Sequence, residues 1–289
     1  MIAVKNLWKT FGAVTALQGV DLEVKKGEMV ALIGASGSGK STLMRHLAGL
    51  TASNAACCSV KVNQAEIQTD GCLNRQIRKL RRGIGVIFQQ FNLVGRLSVY
   101  HNVLLGALGR TALWRSLLFF FKAEDHALAQ KALLKVGILD KMRQRASTLS
   151  GVQQQRAAIA RALVQKADLI LADEPIASLD PQSSKKIMEI LRNLNQEEAI
   201  TVVVTLHQVE YALNYCSRVV ALKSGRVVYD GPSADLNSEM LREIYEGDLD
   251  EAQAPMADQK TEKPRIWRFI DPSIQNASEY PDASAAKAL

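Results

Sequence analysis

The chain has 289 residues, of which 47% are hydrophobic and 22% charged, and a net charge of +7. This length can bury a full core, and the composition is typical of a globular protein rather than a disordered or fibrous one. The most apolar run, residues 117–121, is far shorter than the roughly 20 residues of a membrane-spanning helix. The N-terminus has no signal-peptide layout, so we expect a cytosolic protein.

Much of the positive charge lies in one segment, residues 75–82. Such a run can bind nucleic acid or anionic lipid. However, no aromatic residues alternate with these charges to stack on bases, and no nucleic-acid-binding motif accompanies them. We therefore favour a solvated helix face and expect no nucleic-acid partner.

The first elements in chain order are predicted from apolar periodicity. Residues 4–7 and 17–24 alternate apolar and polar side chains, as half-buried strands do, and predict an N-terminal antiparallel β subdomain. Residues 29–33 form a short apolar run that suits a buried strand, and residues 40–47 continue as a helix. Residues 51–80 are polar and irregular, which indicates an insert.

Strands and helices alternate in the rest of the body. Buried strands are predicted at residues 84–88, 169–172 and 201–205, and a terminal hairpin at residues 219–229. This alternation predicts an α/β fold with a mostly parallel sheet covered by helices on both faces. A helical block at about 90–165 interrupts the alternation and indicates an inserted helical subdomain.

The periodic pattern fades after residue 247. We therefore divide the chain into a domain at 1–247 and a C-terminal tail at 248–289, which its composition predicts to be flexible. The apolar residues 266–270 are either a docking segment or a chance cluster.

A phosphate-binding loop follows the first buried strand. The sequence G-x-x-x-x-G-K-[ST] is matched in full, between a predicted strand and a predicted helix. Its glycines let backbone N–H groups surround phosphate oxygens, the lysine adds positive charge, and the serine hydroxyl can bind Mg²⁺. The expected nucleotide-binding residues are Gly34, Ala35, Ser36, Gly37, Ser38, Gly39, Lys40, Ser41 and Thr42.

Candidate catalytic residues follow three other predicted strands. Asp173 and Glu174 end an apolar strand, where the first would bind Mg²⁺ and the second would act as general base on water. His207 stands at the strand edge where α/β sheets bind ligands, and could contact the γ-phosphate or orient the water. Gln89 could reach Mg²⁺ or the water through its amide. The catalytic set is thus Glu174, His207 and Gln89, and the metal set is Ser41, Gln89 and Asp173.

A further motif, Leu149-Ser150-Gly151-Val152-Gln153, precedes a helix-forming run. Together with the phosphate-binding loop, Gln89, the acidic pair, Ser178-Leu179-Asp180 and His207, all in this order, it resembles the ATP-binding subunit of ATP-binding-cassette importers. The resemblance covers residues 1 to about 247. It implies a P-loop NTPase core and an ATPase activity with ATP and Mg²⁺ as cofactors.

The resemblance also implies roles for individual residues. Phe11 would stack on adenine, and Gln89 would link the site to a membrane subunit. Two copies would form a head-to-tail homodimer in which Ser150, Gly151 and Gln153 of one copy contact the ATP of the other. The helical subdomain would carry a groove for the integral membrane permease.

Several segments resemble the ATP-binding subunits of phosphonate importers in particular. They are residues 88–99, 104–109, 176–181 and 202–209, with Trp114-Arg115. This implies an indirect partner, a periplasmic or extracellular phosphonate-binding protein, and a peripheral location at the cytoplasmic face of the inner membrane. An importer for another small polar solute and a cassette protein acting on DNA or ribosomes are the alternatives.

The signature departs from the family at Val152, where a second glycine is usual. If the site requires positive φ, valine costs at least about 1–2 kcal/mol. If φ is negative, the branched side chain crowds the phosphate. We expect reduced but real hydrolysis, and a subunit that binds ATP but barely hydrolyses it is the alternative.

Overall fold

The computed structural model describes residues 1–117 and 120–245, and the structural statements below concern those ranges. The strands are β1 (Ile2–Phe11), β2 (Val14–Val24), β3 (Met29–Ile33), β4 (Ser59–Val62), β5 (Ala65–Thr69), β6 (Cys72–Leu73), β7 (Ile84–Ile87), β8 (Leu169–Ala172), β9 (Thr201–Thr205), β10 (Arg218–Lys223) and β11 (Arg226–Pro232). The α-helices are α1 (Lys40–Leu47), α2 (Ile77–Leu80), α3 (Val99–Leu104), α4 (Leu113–Leu117), α5 (Ala123–Lys135), α6 (Gly151–Val164), α7 (Pro181–Glu198), α8 (Val209–Tyr215) and α9 (Ser238–Tyr245). None of these helices is long and apolar enough to span a membrane. The tail at 248–289, with the apolar residues 266–270 that are either a docking segment or a chance cluster, lies outside the described residues.

The larger sheet has the order β11-β10-β3-β9-β8-β7. All of its neighbouring pairs are parallel except β10 with β11, which form the predicted antiparallel hairpin. The helices cover this sheet, so the predicted α/β class with a mostly parallel sheet is confirmed. The strands β3, β8 and β9 coincide with their predicted ranges because parallel strands buried on both faces form continuous apolar runs.

The second sheet is antiparallel, with the order β2-β1-β4-β5-β6. The prediction of an irregular insert at residues 51–80 is wrong, because β4, β5 and β6 extend the N-terminal sheet through this segment. Asn63 and Gln64 both have positive φ, 53° and 64°, as a type I′ hairpin turn requires. Because the turn lacks the usual glycine and the strands are short, the sequence of residues 51–80 shows no clear strand pattern.

The strand β3 lies between two apolar cores. Met29, Ala31 and Ile33 belong to the core formed with the helices α3 and α5–α9. Val30 and Leu32 face the other core, which β3 shares with α1 and the antiparallel sheet. Since each fully buried aliphatic side chain contributes about 1.5–3 kcal/mol, β3 is fixed from both faces. The loop that follows it therefore starts from a rigid support.

His46, in α1, is fully buried and neutral. Its Nδ1 lies 2.9 Å from Gln68 Nε2, and Gln68 Oε1 accepts the Ser53 N–H, so the Gln68 amide donates to the imidazole. Burial, aided by the positive charge of Lys9, lowers the pKa of His46 from 6.5 to about 4.

We expect this histidine to make the fold less stable in acid. The unfolded chain protonates His46 near pH 6.5 and the folded chain only near pH 4, so the stabilisation present above pH 6.5 is lost as the pH falls toward 4. His46 should lower the free energy of unfolding by about 2 kcal/mol between pH 7 and pH 5. Urea denaturation of the wild type and His46→Gln should show their difference shrinking by that amount. A difference that is constant with pH would contradict the prediction.

Candidate nucleotide-binding and catalytic site

The phosphate-binding loop, residues 34–39, connects β3 to α1 and depends on glycine at both ends. Gly34 and Gly39 have φ values of 138° and 106°, outside the range of other residues. A Cβ on Gly34 would lie 2.1 Å from the Leu222 carbonyl oxygen, and one on Gly39 would lie 2.5 Å from that of Ala16. The loop is therefore packed against β10 and β2 in a conformation that only glycine allows.

Lys40 begins α1, and its side chain lies inside the loop. Its Nζ donates to the carbonyl oxygens of Gly34 at 2.7 Å and Ala35 at 2.8 Å. The residue is nearly fully buried, and burial lowers the pKa of the ammonium, while the charges of Glu174 and Asp173 oppose that shift. The loop thus holds a positive charge beside the N-terminal end of a helix, an arrangement that binds phosphate groups.

The predicted polar residues after β8 and β9 meet at the same sheet edge. Ser41 Oγ donates to Asp173 Oδ1 at 3.0 Å, and Thr205 Oγ1 donates to the same oxygen at 2.8 Å. The Thr205 hydroxyl also accepts the Glu174 N–H at 2.7 Å. His207 Nε2 lies 2.6 Å from Glu174 Oε1. These contacts connect four predicted residues in one hydrogen-bonded chain.

Thr205 belongs to the same hydrogen-bonded chain, but the sequence motifs do not identify it as a site residue. It is fully buried at the end of β9, which lies between β3 and β8 in the sheet. Its hydroxyl fixes the backbone of Glu174, whose φ of 50° is unusual for a residue other than glycine. Threonine is common in strands, so only the strand order reveals that this hydroxyl supports the Asp173 carboxylate and the Glu174 backbone.

The site has a donor set that suits Mg²⁺ and a triphosphate. The Ser41 hydroxyl and the Asp173 carboxylate offer adjacent oxygens, the ligand type that Mg²⁺ takes in proteins, at the end of the phosphate-binding loop. A cluster of three or more His, Cys, Asp or Glu side chains suited to a metal is absent from the described ranges. A nucleotide-bound Mg²⁺ usually takes one or two protein ligands, a number that Ser41 and Asp173 can supply.

Two other predicted residues lie outside this hydrogen-bonded chain. Phe11 ends β1 and is about half exposed, with the Lys9 ammonium 5.0 Å from its ring centre. Gln89 lies two residues after β7 and is exposed. The segment that follows Gln89 is held instead by Arg161 of α6, which donates to the carbonyl oxygens of Phe91 and Asn92.

The signature residues form the N-terminal cap of α6. Ser150 Oγ accepts the Gln153 N–H, and Gln153 Oε1 accepts the Ser150 N–H at 3.0 Å, which is a capping box. Gly151 lies against the side chains of Phe91 and Leu179. Among the described residues, no hydrogen bond joins this cap to the phosphate-binding loop of the same chain. Ser150, at the start of this cap, is exposed.

Val152 is the second residue of α6 and has an ordinary helical backbone. The possibility that this position requires positive φ is therefore excluded. The side chain is half-buried and packs against the core of the helices. Its N–H belongs to the first turn, whose donors have no partner within the helix. Valine in place of the family's usual glycine thus keeps the backbone N–H as a donor and changes only the size of the side chain beside it.

The fold and the site are those of a known protein family. The family model described as ABC transporter matches residues 17–177. The chain belongs to this family and is an ATP-hydrolysing subunit of an ABC transporter. The resemblance seen in the motifs is thereby confirmed, and the alternative of a cassette acting on DNA or ribosomes is not favoured.

Two similar proteins are both described as phosphonates import ATP-binding proteins. The chain is 54% identical over 276 residues to the phosphonates import ATP-binding protein PhnC of Stutzerimonas stutzeri, covering 93% of this chain and 98% of that protein. It is 57% identical over 255 residues to the phosphonates import ATP-binding protein PhnC 2 of Pseudomonas syringae pv. syringae, covering 86% and 90%.

Solved structures of ATP-binding cassettes share the fold. One is a dimeric cassette in a post-hydrolysis state bound to ADP and phosphate, with a TM-score of 0.70 and 34% identity over 81% of this chain and 99% of that one. Another is part of an ABC transporter complex of Clostridium perfringens, with a TM-score of 0.70 and 29% identity over 81% and 89%. Cassettes of this family bind ATP and work as dimers within transporter complexes.

Proposed function

We propose that this chain hydrolyses ATP to drive the import of phosphonates, or a related phosphorus oxyanion, through a membrane ABC transporter. The observation that carries the substrate class is the 54–57% identity to phosphonates import ATP-binding proteins over most of both chains. The hydrogen-bonded chain from Ser41 to His207 supports an intact hydrolytic site.

The hydrogen-bonded geometry supports a role for each residue that it connects, and membership of the ABC transporter family supports the roles of Gln89 and Phe11. The loop, residues 34–42, binds the phosphates, and Lys40 neutralises their charge. Ser41 and Asp173, with Gln89, would hold Mg²⁺, which would supply positive charge beside the phosphate oxygens. Glu174 takes the proton of the attacking water, and His207 holds that carboxylate in place across 2.6 Å. Phe11 stacks on the adenine.

The exposed signature cap supports a homodimer with ATP at the interface. Ser150, Gly151 and Gln153 would bind the γ-phosphate of the ATP held by the partner copy. Residues 1–247 would form the nucleotide-binding domain, and its helical subdomain at about 90–165 would contact the permease. The complex works at the cytoplasmic face of the inner membrane, with a periplasmic or extracellular phosphonate-binding protein delivering the substrate.

Growth on phosphonate tests this function. A host that lacks its own phosphonate importer should grow on methylphosphonate as its sole phosphorus source when it expresses this chain with the cognate permease and binding protein. The same operon with Glu174→Gln should not support growth. Growth on phosphate but not on methylphosphonate, with all subunits present at the membrane, would contradict the substrate class.

Val152 gives a prediction about the rate of hydrolysis. Because the backbone is helical and the N–H is kept, only the bulk of the Val152 side chain can slow this site. Val152→Ala and Val152→Gly should therefore each raise turnover about tenfold by letting a phosphate oxygen approach that N–H and form its full hydrogen bond. The alanine variant is the cleaner test, since glycine costs a helix about 1 kcal/mol. Turnover of the complex that neither variant changes would show that valine does not slow this site.

A further inference from the structure

The hydroxyl of Tyr245, the last residue of α9, reaches the first residue of the phosphate-binding loop. The Gly34 N–H donates to Tyr245 Oη across 3.3 Å. The phenol is largely buried, and this burial raises its pKa, so the hydroxyl remains protonated at neutral pH. This residue belongs to none of the motifs in the sequence.

The position of Tyr245 is fixed by the packing of its helix. Leu241 and Ile244 of α9 are buried in the core. Lys223, at the end of β10, donates from Nζ to the carbonyl oxygen of Glu243. These contacts attach the last turn of α9 to the large sheet, so the hydroxyl is presented to Gly34 by a supported element.

Gly34 is thus held at both of its polar groups. Tyr245 accepts its N–H, and Lys40 Nζ donates to its carbonyl oxygen at 2.7 Å. A bound nucleotide would draw the Lys40 ammonium toward its phosphates, at the expense of the bond to Gly34. The hydroxyl of Tyr245 then remains as the polar contact that holds the start of the loop.

We propose that Tyr245 is a positioning residue of the ATP site. It holds the Gly34 peptide in the conformation that binds phosphate, and it increases the affinity for ATP by pre-organising the loop without taking part in hydrolysis. This inference rests on the proposed ATPase function.

Tyr245→Phe tests the proposal in the full chain assembled with its permease, because it removes the hydroxyl and keeps the packing of the ring. The KM for ATP and the Kd of a fluorescent ATP analogue should rise about threefold to tenfold, the effect of one hydrogen bond, while kcat changes less than about twofold. The matched control is Tyr229→Phe, which removes a hydroxyl that donates to the Pro232 carbonyl oxygen at 2.7 Å on β11. It should leave KM and kcat unchanged.

The melting temperature of each variant separates positioning from simple support of the fold. A Tyr245→Phe protein that melts earlier but keeps the wild-type KM would overturn the proposal, as would a loss confined to kcat. Wild-type protein that neither binds nor hydrolyses ATP would instead overturn the proposed function. Wild-type binding with an unchanged variant overturns the role of Tyr245 alone.

Discussion

Glu174→Gln should reduce the kcat for ATP hydrolysis by about 10²- to 10⁴-fold, the usual contribution of a general base, while ATP still binds. The amide has the shape of the carboxylate but cannot take a proton from water. The Glu174 side chain is mostly buried beside His207. The other carboxylate of the hydrogen-bonded chain, Asp173, is already engaged by Ser41 and Thr205, so it does not replace Glu174 as the base.

Phosphate release and nucleotide binding should be measured on the same sample. Glu210→Gln is the matched control, because it makes the same chemical change at an exposed position three residues beyond His207. Its kcat should equal that of the wild type. A Glu174→Gln protein that keeps its kcat within about threefold would show that the base is another group.

Lys40→Ala should lower kcat/KM for ATP by at least about 10²-fold, mainly through weaker binding. The variant removes the buried ammonium and its two bonds of 2.7 and 2.8 Å to the loop. Two charge-assisted hydrogen bonds from this ammonium to phosphate oxygens, each worth about 1.5–3 kcal/mol, would account for the loss of binding.

Binding of a fluorescent ATP analogue and steady-state hydrolysis measure both parts of this effect. Lys79→Ala, at an exposed position in α2, removes one positive charge from the surface and should leave both parameters unchanged. Equal losses in the two variants would mean that net charge, rather than the ammonium inside the loop, attracts the nucleotide.

The parts of the fold predicted best are those whose residues are constrained on every side. The strands β3, β8 and β9 are buried on both faces, so their sequences contain only residues that a core accepts. The strands β4 to β6 escaped prediction because they are short and half-exposed, and because the Asn63-Gln64 turn lacks glycine. A local pattern carries little information where only one face is buried.

The same distinction applies to the site. The phosphate-binding loop is contiguous, and its glycines are required by contacts with Leu222 and Ala16, so its motif is visible in the sequence. The roles of Thr205 and Tyr245 depend on which strands and helices lie side by side. A threonine in a strand and a tyrosine in a helix have ordinary structural uses, and only the tertiary contacts distinguish these two.

Uptake by the reconstituted transporter tests the central claim directly. Proteoliposomes that contain this chain and its permease, supplied with the phosphonate-binding protein and with ATP on the side of the nucleotide-binding subunits, should accumulate labelled methylphosphonate. Uptake should require hydrolysable ATP and stop with Glu174→Gln. Hydrolysis at an undiminished rate without phosphonate transport, under conditions in which another small solute is transported, would contradict the assignment.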